Sequence, residues 1–293
     1  MLLKGKNVVI TGSGRGIGRA IAVACAKEGA NVGITSRTLE ELNGTKKEIE
    51  SLENGVKVIL KTADITNYDE VEKMLKEFKE EMGPLNAVIA NAGASGRYDT
   101  HKFTPEKFDL IMDVNVNGVF HTFKAAYPVL KMDNKKDRAR FIITGSAAYP
   151  NAMPKFAAYT ASKYAVVGLQ KALHLEYKRD NLNFTMVLPT MVDTQLLRGD
   201  KAGDGNAPPS VMSPKELEDY YIFLLSEDAN RVSDELLITT DFEKIKDLIQ
   251  EAPAEKTADW DTFKEYLEEE HSKAYENVRK SWRMVKFLLE KYK

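Results

Sequence analysis

The chain has 293 residues, of which 43% are apolar and 29% charged, and its formal net charge is −2. This composition allows a substantial buried core and gives no electrostatic signature of nucleic-acid binding or of binding to an anionic membrane. A lone cysteine, Cys25, excludes an intrachain disulfide framework and fits a reducing cytoplasm, which is the location we expect.

The sequence shows no signal for export, membrane insertion or metal binding. The first residues lead into a strand pattern without an apolar stretch or a cleavage site, so we expect no signal peptide. No apolar run approaches the roughly 20 residues that cross a bilayer. The four histidines are scattered without metal-ligand spacing. We therefore expect no metal site, no membrane partner and no nucleic-acid partner.

Short β-branched runs alternate with amphipathic helical stretches in the first two-thirds of the chain. The predicted strands are residues 7–11, 31–36, 56–62, 87–91, 141–144 and 183–188. The predicted helices are residues 16–28, a polar helix ending near 53, a helix with Thr66 as its N-cap, and two long helices at about 105–127 and 157–179. Continuous apolar strands that alternate with helices favour an α/β fold, a Rossmann-like, doubly wound parallel sheet with helices on both faces.

The pattern changes after Pro189. Residues 193–212 are rich in Gly, Asp, Lys and Pro and predict a loop, which we interpret as a substrate lid. Ser213 and Glu216 form a capping box that opens a helix to about residue 225, and residues 236–240 predict a last strand. We therefore divide the chain into a dinucleotide-binding and catalytic domain, residues 1–241, and a helical C-terminal extension, residues 242–293.

A glycine-rich turn, TGSGRGIG, lies between the first predicted strand and the first predicted helix. Glycines allow a tight turn whose backbone N–H groups approach a pyrophosphate, and the following helix N-terminus favours negative charge. A merely structural turn is the alternative, but the strand–turn–helix position favours a dinucleotide site. The residues that we assign to the cofactor here are Gly12, Ser13, Arg15, Gly16, Ile17 and Gly18.

The end of the second strand discriminates between the two nicotinamide cofactors. An acidic residue there accepts hydrogen bonds from the ribose 2′-hydroxyl, whereas a basic residue pairs with a 2′-phosphate. This chain has Ser36 and Arg37 at that place, and Arg15 supplies a second cation from the glycine-rich turn. A planar guanidinium suits bidentate phosphate contact, so we predict NADP(H) over NAD(H); two merely solvated arginines are the alternative.

Tyr159 and Lys163 stand four residues apart on a predicted helix and therefore share one face. An ammonium at that spacing can lower the phenol pKa from its usual value of about 10 and help Tyr159 to exchange a proton with a carbonyl or alcohol oxygen. Such a pair occurs by chance in many helices. Ser146, however, follows the fifth predicted strand, at the sheet edge where open α/β sheets bind ligands, and this position supports a catalytic site.

Together these motifs resemble the short-chain dehydrogenase/reductase family, in particular its 3-oxoacyl-reductase-like branch. The matching features, in order and spacing, are TGSGRGIG, ANAG at residues 90–93, Asn115, Ser146 and YTASK at residues 159–163. The resemblance covers roughly residues 5–195 and implies Tyr159 as general acid/base and Ser146 as hydrogen-bond partner of the substrate oxygen. It implies that Lys163 holds the nicotinamide ribose and that Asn115 anchors a water of a proton relay. Further implied cofactor residues are Asp64, Ile65, Asn91, Ala92, Gly93, Tyr159, Lys163, Val192 and Thr194.

The sequence thus predicts an NADP(H)-dependent oxidoreductase that moves a hydride between nicotinamide and a carbonyl or secondary-alcohol carbon. A non-catalytic NADP-binding regulator is the alternative, although it would have no reason to keep Ser146, Tyr159 and Lys163 together. A nucleotide-sugar dehydratase or epimerase is disfavoured, because the tail is too helical and charged to resemble the larger substrate domain of such enzymes. The substrate stays open among a 3-oxoacyl thioester, a steroid-like ketone and a sugar ketone.

Two features predict self-association. The helices at 105–127 and 157–179 resemble the pair with which family members build a four-helix interface, so we expect a homodimer or a homotetramer. In the tail, apolar residues between Trp260 and Tyr292 recur at three- and four-residue steps, which predicts one continuous helical stripe. The acidic first half and basic second half of this stretch lead us to expect contact with a neighbouring subunit, the alternative being a helix that lies on its own subunit.

Overall fold

Seven strands and twelve α-helices follow one another along residues 1–133 and 135–293, the part of the chain that our computed structural model describes. In chain order the strands are β1 Asn7–Thr11, β2 Asn31–Ser36, β3 Val58–Thr62, β4 Ala87–Ala90, β5 Ala139–Thr144, β6 Leu182–Leu188 and β7 Glu235–Ile238. The helices are α1 Gly16–Lys27, α2 Leu39–Glu50, α3 Tyr68–Met82, α4 Pro105–Met112, α5 Gly118–Ala126, α6 Ala157–Glu176, α7 Gln195–Arg198, α8 Glu218–Leu225, α9 Thr239–Glu251, α10 Trp260–Glu270, α11 Ser272–Val278 and α12 Trp282–Tyr292.

The seven strands form one parallel sheet in the order β3-β2-β1-β4-β5-β6-β7. Successive side chains of a strand point to opposite faces of the sheet. Val8 and Ile10 of β1 accordingly enter one apolar cluster, whereas Val9 between them enters the other. Both faces are buried, which explains the unbroken apolar strands of the sequence. The predicted doubly wound α/β fold is confirmed.

Helices cover both faces of this sheet. On one face lie α1, α8 and the C-terminal helices, represented in the core by Ile21 of α1 and Tyr221 of α8. On the other lie α3, α5 and α6, represented by Phe78, Phe123 and Val166. Neither layer of helices covers the carboxyl ends of the strands. The glycine-rich turn lies at this edge of the sheet.

The start of α3 differs from the prediction by one residue. Asn67, not Thr66, is the N-cap, because its side-chain oxygen accepts hydrogen bonds from the backbone N–H groups of Asp69 and Glu70. The Thr66 hydroxyl instead donates to the Asp64 carboxylate at 2.8 Å. Thr66 therefore stabilises the loop before the helix and does not cap it.

The long helix predicted at 105–127 is interrupted by a wider turn. Thr104 caps its start as expected, accepting from the backbone N–H of Lys107. Residues Asp113–Asn117 then form a π-helical turn between α4 and α5. Such turns often occur at functional sites. This one carries Asn115 inward, where the side chain is almost fully buried.

The tail is four helices packed on their own chain, and the single continuous stripe predicted for it is wrong. Helix α10 ends before His271, and a 3₁₀ turn separates α11 from α12. Phe263, Leu267, Val285 and Leu289 of the predicted stripe are buried in the same cluster as α1 and α8. Apolar area that is already covered by its own subunit gives no drive toward a neighbour. The boundary expected between residues 241 and 242 lies within α9, which runs from Thr239 to Glu251.

A buried carboxylate fastens the last helix to the domain. Asp219 of α8 accepts hydrogen bonds from Lys291 and Tyr292, and the Lys246 ammonium lies 3.3 Å from it. Burial by itself raises the Asp219 pKa, but these hydrogen bonds and the Lys246 charge outweigh it, and the pKa is lowered. The carboxylate is therefore charged at neutral pH and joins α8, α9 and α12.

Residues 1–133 and 135–293 provide neither a helical membrane span nor a metal-ligating cluster. None of their helices is both long enough and apolar enough to cross a membrane. Likewise, these residues include no group of three or more His, Cys, Asp or Glu side chains that could hold a metal ion.

Candidate active site

A cleft of about 540 Å³ opens at the carboxyl ends of the central strands. The strand order reverses beside β1, whose neighbours are β2 on one side and β4 on the other. Loops after these strands leave the sheet in opposite directions, which creates a crevice where α/β sheets bind ligands. Most of the predicted site residues line this cleft.

The glycine-rich turn forms one wall, and its glycines are required by close backbone approach. A Cβ at Gly12 would lie 2.8 Å from the Ala92 Cα, and one at Gly18 would lie 2.3 Å from the Gly12 carbonyl oxygen. Gly12 and Gly16 also adopt positive φ angles of 65° and 54°, which side chains disfavour. Helix α1 begins at Gly16, so its positive N-terminal end faces the cleft. This cradle fits the pyrophosphate of a dinucleotide.

Asn91 joins three strand ends beside the turn. Its side-chain amide donates to the backbone oxygens of Thr11 at 3.0 Å and of Gly12 at 3.3 Å. Its side-chain oxygen accepts from the Thr144 hydroxyl at 3.2 Å. Asn91 thus fixes the glycine-rich turn relative to β4 and β5, while its neighbours Ala92 and Gly93 line the cleft.

The two predicted phosphate-binding arginines stand at the far end of the cleft, each beside a carboxylate. Arg15 pairs with Glu41 of α2 at 2.9 Å, and the Arg37 guanidinium lies 3.8 Å from Asp64. Both arginine side chains are more than half exposed, so they are free to turn toward a ligand. Ser36 and Ile65 line the same end. Glu41 was not predicted from the sequence, where it reads as an ordinary acidic residue in the first turn of α2.

Tyr159 and Lys163 project from α6 into the middle of the cleft. The Lys163 ammonium donates to the Thr144 carbonyl at 3.1 Å and lies 5.4 Å from the centre of the Tyr159 ring. Burial lowers the pKa of Lys163 to about 8, because the charged form is poorly solvated. Ser146 follows β5 and faces the same space.

The Tyr159 pKa is raised, whereas the sequence predicted that it would be lowered. Burial raises it, and the hydrogen bond with Ser146 acts in the lowering direction without compensating. The lowering expected from Lys163 is not found in this environment. The phenol is consequently protonated at neutral pH, the form that can donate a proton.

Two predicted site residues lie behind the cleft and do not line it. The Ser13 hydroxyl is buried, donates to the Ile10 carbonyl and accepts from the Thr35 N–H, so it holds the turn against β2. Asn115 exchanges hydrogen bonds with the backbone of Ala94 and donates to the Ser162 hydroxyl at 2.9 Å. These partners make Asn115 a support beneath α6. Ser162 was not singled out from the sequence, although it lies inside the YTASK motif.

Another wall of the cleft is the loop at 193–212, which we call the lid. Val192 and Thr194 line the cleft where the lid begins. An isolated bridge between Val192 and Met212 closes the base of the lid. Within it, Arg198 pairs with Asp193 at 2.9 Å and with Asp204 at 3.0 Å. The lid is therefore a structured loop that contains α7.

Comparison with known proteins agrees with this architecture. The family model described as "short chain dehydrogenase" matches residues 6–204. The chain belongs to the short-chain dehydrogenase family. The match runs from the start of β1 into the lid and includes every predicted site residue.

Several members of this family resemble the chain. The 3-dehydrosphinganine reductase TSC10B of Arabidopsis thaliana is 35% identical over 192 residues, which are 66% of this chain and 56% of that protein. The chain thus spans little more than half the length of that relative. A 3-ketoacyl-(acyl-carrier-protein) reductase from Brucella melitensis, solved with NADH, superimposes with a TM-score of 0.73 at 27% identity, covering 81% of this chain and 97% of that one. An alcohol dehydrogenase from Thermococcus sibiricus, solved with 5-hydroxy-NADP, gives 0.71 at 29% identity and covers 80% and 95%.

Proposed function

We propose that this short-chain dehydrogenase is an NADP(H)-dependent oxidoreductase that interconverts a carbonyl group and a secondary alcohol. The observation that supports it most is the convergence of Ser146, Tyr159 and Lys163 on one cleft, directly beside the glycine cradle. A protein that only bound the cofactor would need the cradle without the three catalytic residue types.

The cleft residues divide naturally between cofactor and substrate. The cofactor would be held by the glycine-rich turn, by Asn91 to Gly93, by Asp64 and Ile65, and by Val192 and Thr194. Lys163 would hold the ribose next to the nicotinamide. When bound, the nicotinamide supplies or accepts the hydride. The remaining space between Ser146, Tyr159 and the lid is left for the substrate.

Tyr159 acts as the general acid when a ketone is reduced. Its raised pKa keeps the phenol protonated at neutral pH, so a proton is available for the carbonyl oxygen as negative charge develops there. The Ser146 hydroxyl donates a second hydrogen bond to that oxygen and fixes its position. The Lys163 ammonium, held by the Thr144 carbonyl, places positive charge beside the phenol as it gives up its proton.

The choice of NADP(H) over NAD(H) rests on the two arginines. Arg37 follows β2 and Arg15 reaches the same end of the cleft from the glycine-rich turn; both are exposed cations, and no acidic side chain occupies the end of β2 itself. The solved relatives include one complex with NADH and one with an NADP derivative, so both cofactors occur among close structural neighbours. The sequence at this strand end favours the phosphorylated one.

Replacing Tyr159 by Phe tests the proposal. The variant removes the transferable proton and almost nothing else, so turnover of a ketone should fall by on the order of 10² or more while NADPH still binds. The assay follows NADPH loss with a panel of ketones, and binding is measured by nicotinamide fluorescence. Tyr164→Phe, five residues further along α6, is the matched control and should keep the wild-type rate. Near wild-type turnover by Tyr159→Phe would show that the mechanism is wrong.

A further inference from the structure

The substrate half of the cleft has an apolar lining. Beyond Ser146 and Tyr159 it is formed mainly by Leu110, Val114, Met153, Phe156, Leu196 and Leu197. These side chains come from three separate places: the α4–π turn region, the segment before α6, and the lid. An apolar surface assembled from three elements is a property of the site and not of one amphipathic helix.

The rim of the same cleft exposes large apolar side chains to solvent. Leu110 is 52% exposed, Leu196 46% and Met153 42%. Exposed apolar side chains are usual one at a time, whereas a group around one opening indicates a surface that a ligand covers. Their contiguity with Ser146 and Tyr159 makes that ligand the substrate itself.

Charge is confined to the cofactor half. The charged residues that line the cleft in the described chain are Arg15, Arg37, Glu41, Asp64 and Lys163. The first four stand at the adenosine end, and Lys163 is buried beneath the catalytic tyrosine. Arg97, which follows β4, and Lys201 of the lid do not line the cleft.

Arg198, another cation of the lid, is already neutralised. Its side chain is only 12% exposed, and its guanidinium pairs with two lid carboxylates, those of Asp193 and Asp204. A negatively charged substrate group in this half would be desolvated without a partner, which is unfavourable. An aliphatic chain, in contrast, would bury the exposed rim at a gain in free energy.

We infer that the substrate is a ketone, or the matching secondary alcohol, whose bulk is an uncharged aliphatic chain that lies along Leu110, Met153, Leu196 and Leu197. This inference rests on the proposed function and adds the substrate class to it. The aliphatic chain of the substrate extends from the reacting carbon toward the lid. Its length therefore determines how much of the apolar rim is covered.

The test is a series of unbranched methyl ketones from butan-2-one to decan-2-one, assayed with NADPH. The kcat/KM should rise about three- to fourfold for each added methylene until the rim is covered, as expected for burial of one CH₂ group. The carboxylated analogue 9-oxodecanoate, which has the same chain length as decan-2-one, should be at least tenfold poorer. Equal kcat/KM across the series, or equal use of 9-oxodecanoate, would overturn the inference and leave the reductase assignment standing. Absence of turnover with every ketone, while NADPH binds, would overturn the proposed function.

A variant links the length dependence to the rim. Leu196→Asn/Leu197→Asn should flatten the rise of kcat/KM with chain length to below about twofold per methylene. Leu2→Asn changes a comparably exposed leucine outside the cleft and should leave the slope as in the wild type. An unchanged slope in the lid variant would show that the aliphatic chain does not lie there.

Discussion

At the residue scale, the buried ammonium of Lys163 should impose a pH limit on cofactor binding. Its pKa is lowered to about 8 by burial, so the charge is lost as the pH rises through that value, well below the ordinary lysine range. If the charged form holds the ribose, NADPH affinity should be highest below pH 8 and fall by about tenfold toward pH 9.5.

This pH dependence can be measured by fluorescence titration of NADPH between pH 7 and 9.5, a range above the phosphate pKa of about 6. Tyr159→Phe is the control and should show the same midpoint, because the Tyr159 pKa is raised and its phenol does not ionise there. An affinity that stays constant up to pH 9.5 would contradict the assigned role of Lys163.

Glu41 should determine how strongly the cofactor phosphate is bound. Its carboxylate forms an ion pair with the Arg15 guanidinium, with 2.9 Å between oxygen and nitrogen. The same carboxylate would lie near a 2′-phosphate bound at this end of the cleft. In the wild type we expect kcat/KM with NADPH to exceed that with NADH by at least about tenfold, and Arg37→Asp should narrow or reverse the preference. Glu41→Gln should tighten NADPH binding about two- to fivefold at low salt and leave NADH nearly unchanged.

Calorimetric titration of both cofactors checks this prediction. Glu40→Gln is the matched control, since Glu40 stands in the same first turn of α2 and is exposed outside the cleft. Equal affinities of wild type and Glu41→Gln for NADPH would mean that the ion pair does not compete with the phosphate.

The residues whose place in the fold could be predicted from the sequence are those with a local signature. The glycine-rich turn and the spacing of Tyr159 and Lys163 depend on neighbours along the chain, and both are found as expected. Glu41 meets Arg15 from 26 positions away, and Asn115 meets Ala94 from 21 positions away. Such contacts are set by how the elements pack, so no local pattern indicated that Asn115 would be turned away from the cleft.

At the scale of elements, the tail shows the same limit. Local rules predicted helices there, and helices are found. The rules for an amphipathic stripe state that one face is buried but not which surface buries it. In the structure, α1 and α8 bury this face, and the breaks at His271 and at Arg279–Ser281 divide the stripe among α10, α11 and α12.

The attachment of the tail through Asp219 should contribute strongly to stability. Asp219→Asn leaves the half-exposed Lys291 without its carboxylate and leaves the buried Lys246 paired with Glu243 alone, which should cost about 2 kcal/mol in the free energy of unfolding, within the range for a hydrogen bond to a charged group. Urea denaturation followed by circular dichroism measures the loss.

Glu276→Gln provides the comparison, because it breaks an exposed pair with Arg279 on the same tail. It should cost no more than about 0.5 kcal/mol. If the two variants unfold at the same urea concentration, the Asp219 cluster is no stronger than a surface ion pair.

At the scale of the whole molecule, self-association remains a prediction, and the structure offers an exposed apolar surface on which it could occur. Phe120 of α5 and Tyr164 and Leu175 of α6 are large apolar residues with 46%, 46% and 65% exposure. They lie on the two helices for which the sequence predicted a four-helix interface, whereas the tail is already occupied by its own chain.

We expect light scattering to give at least twice the mass of one chain at micromolar concentration. Leu175→Glu should shift the mass toward a single chain, because a symmetric interface brings two copies of the new charge into an apolar contact. Leu39→Glu, at a similarly exposed leucine of α2, should leave the mass unchanged. A wild-type mass of one chain would refute the prediction.

The strand order also bears on how the protein is made. Strand β1 pairs on both sides, but its partner β4 leaves the ribosome well after β2 and β3 have emerged. Until Ala87–Ala90 is available, one edge of β1 offers unpaired backbone groups between the fully buried side chains of Val8 and Ile10. Open apolar strand edges are where nascent chains stick to one another or recruit chaperones. Slow translation of residues 63–86 would lengthen that interval, so codon choice in this short stretch should influence the yield of folded protein.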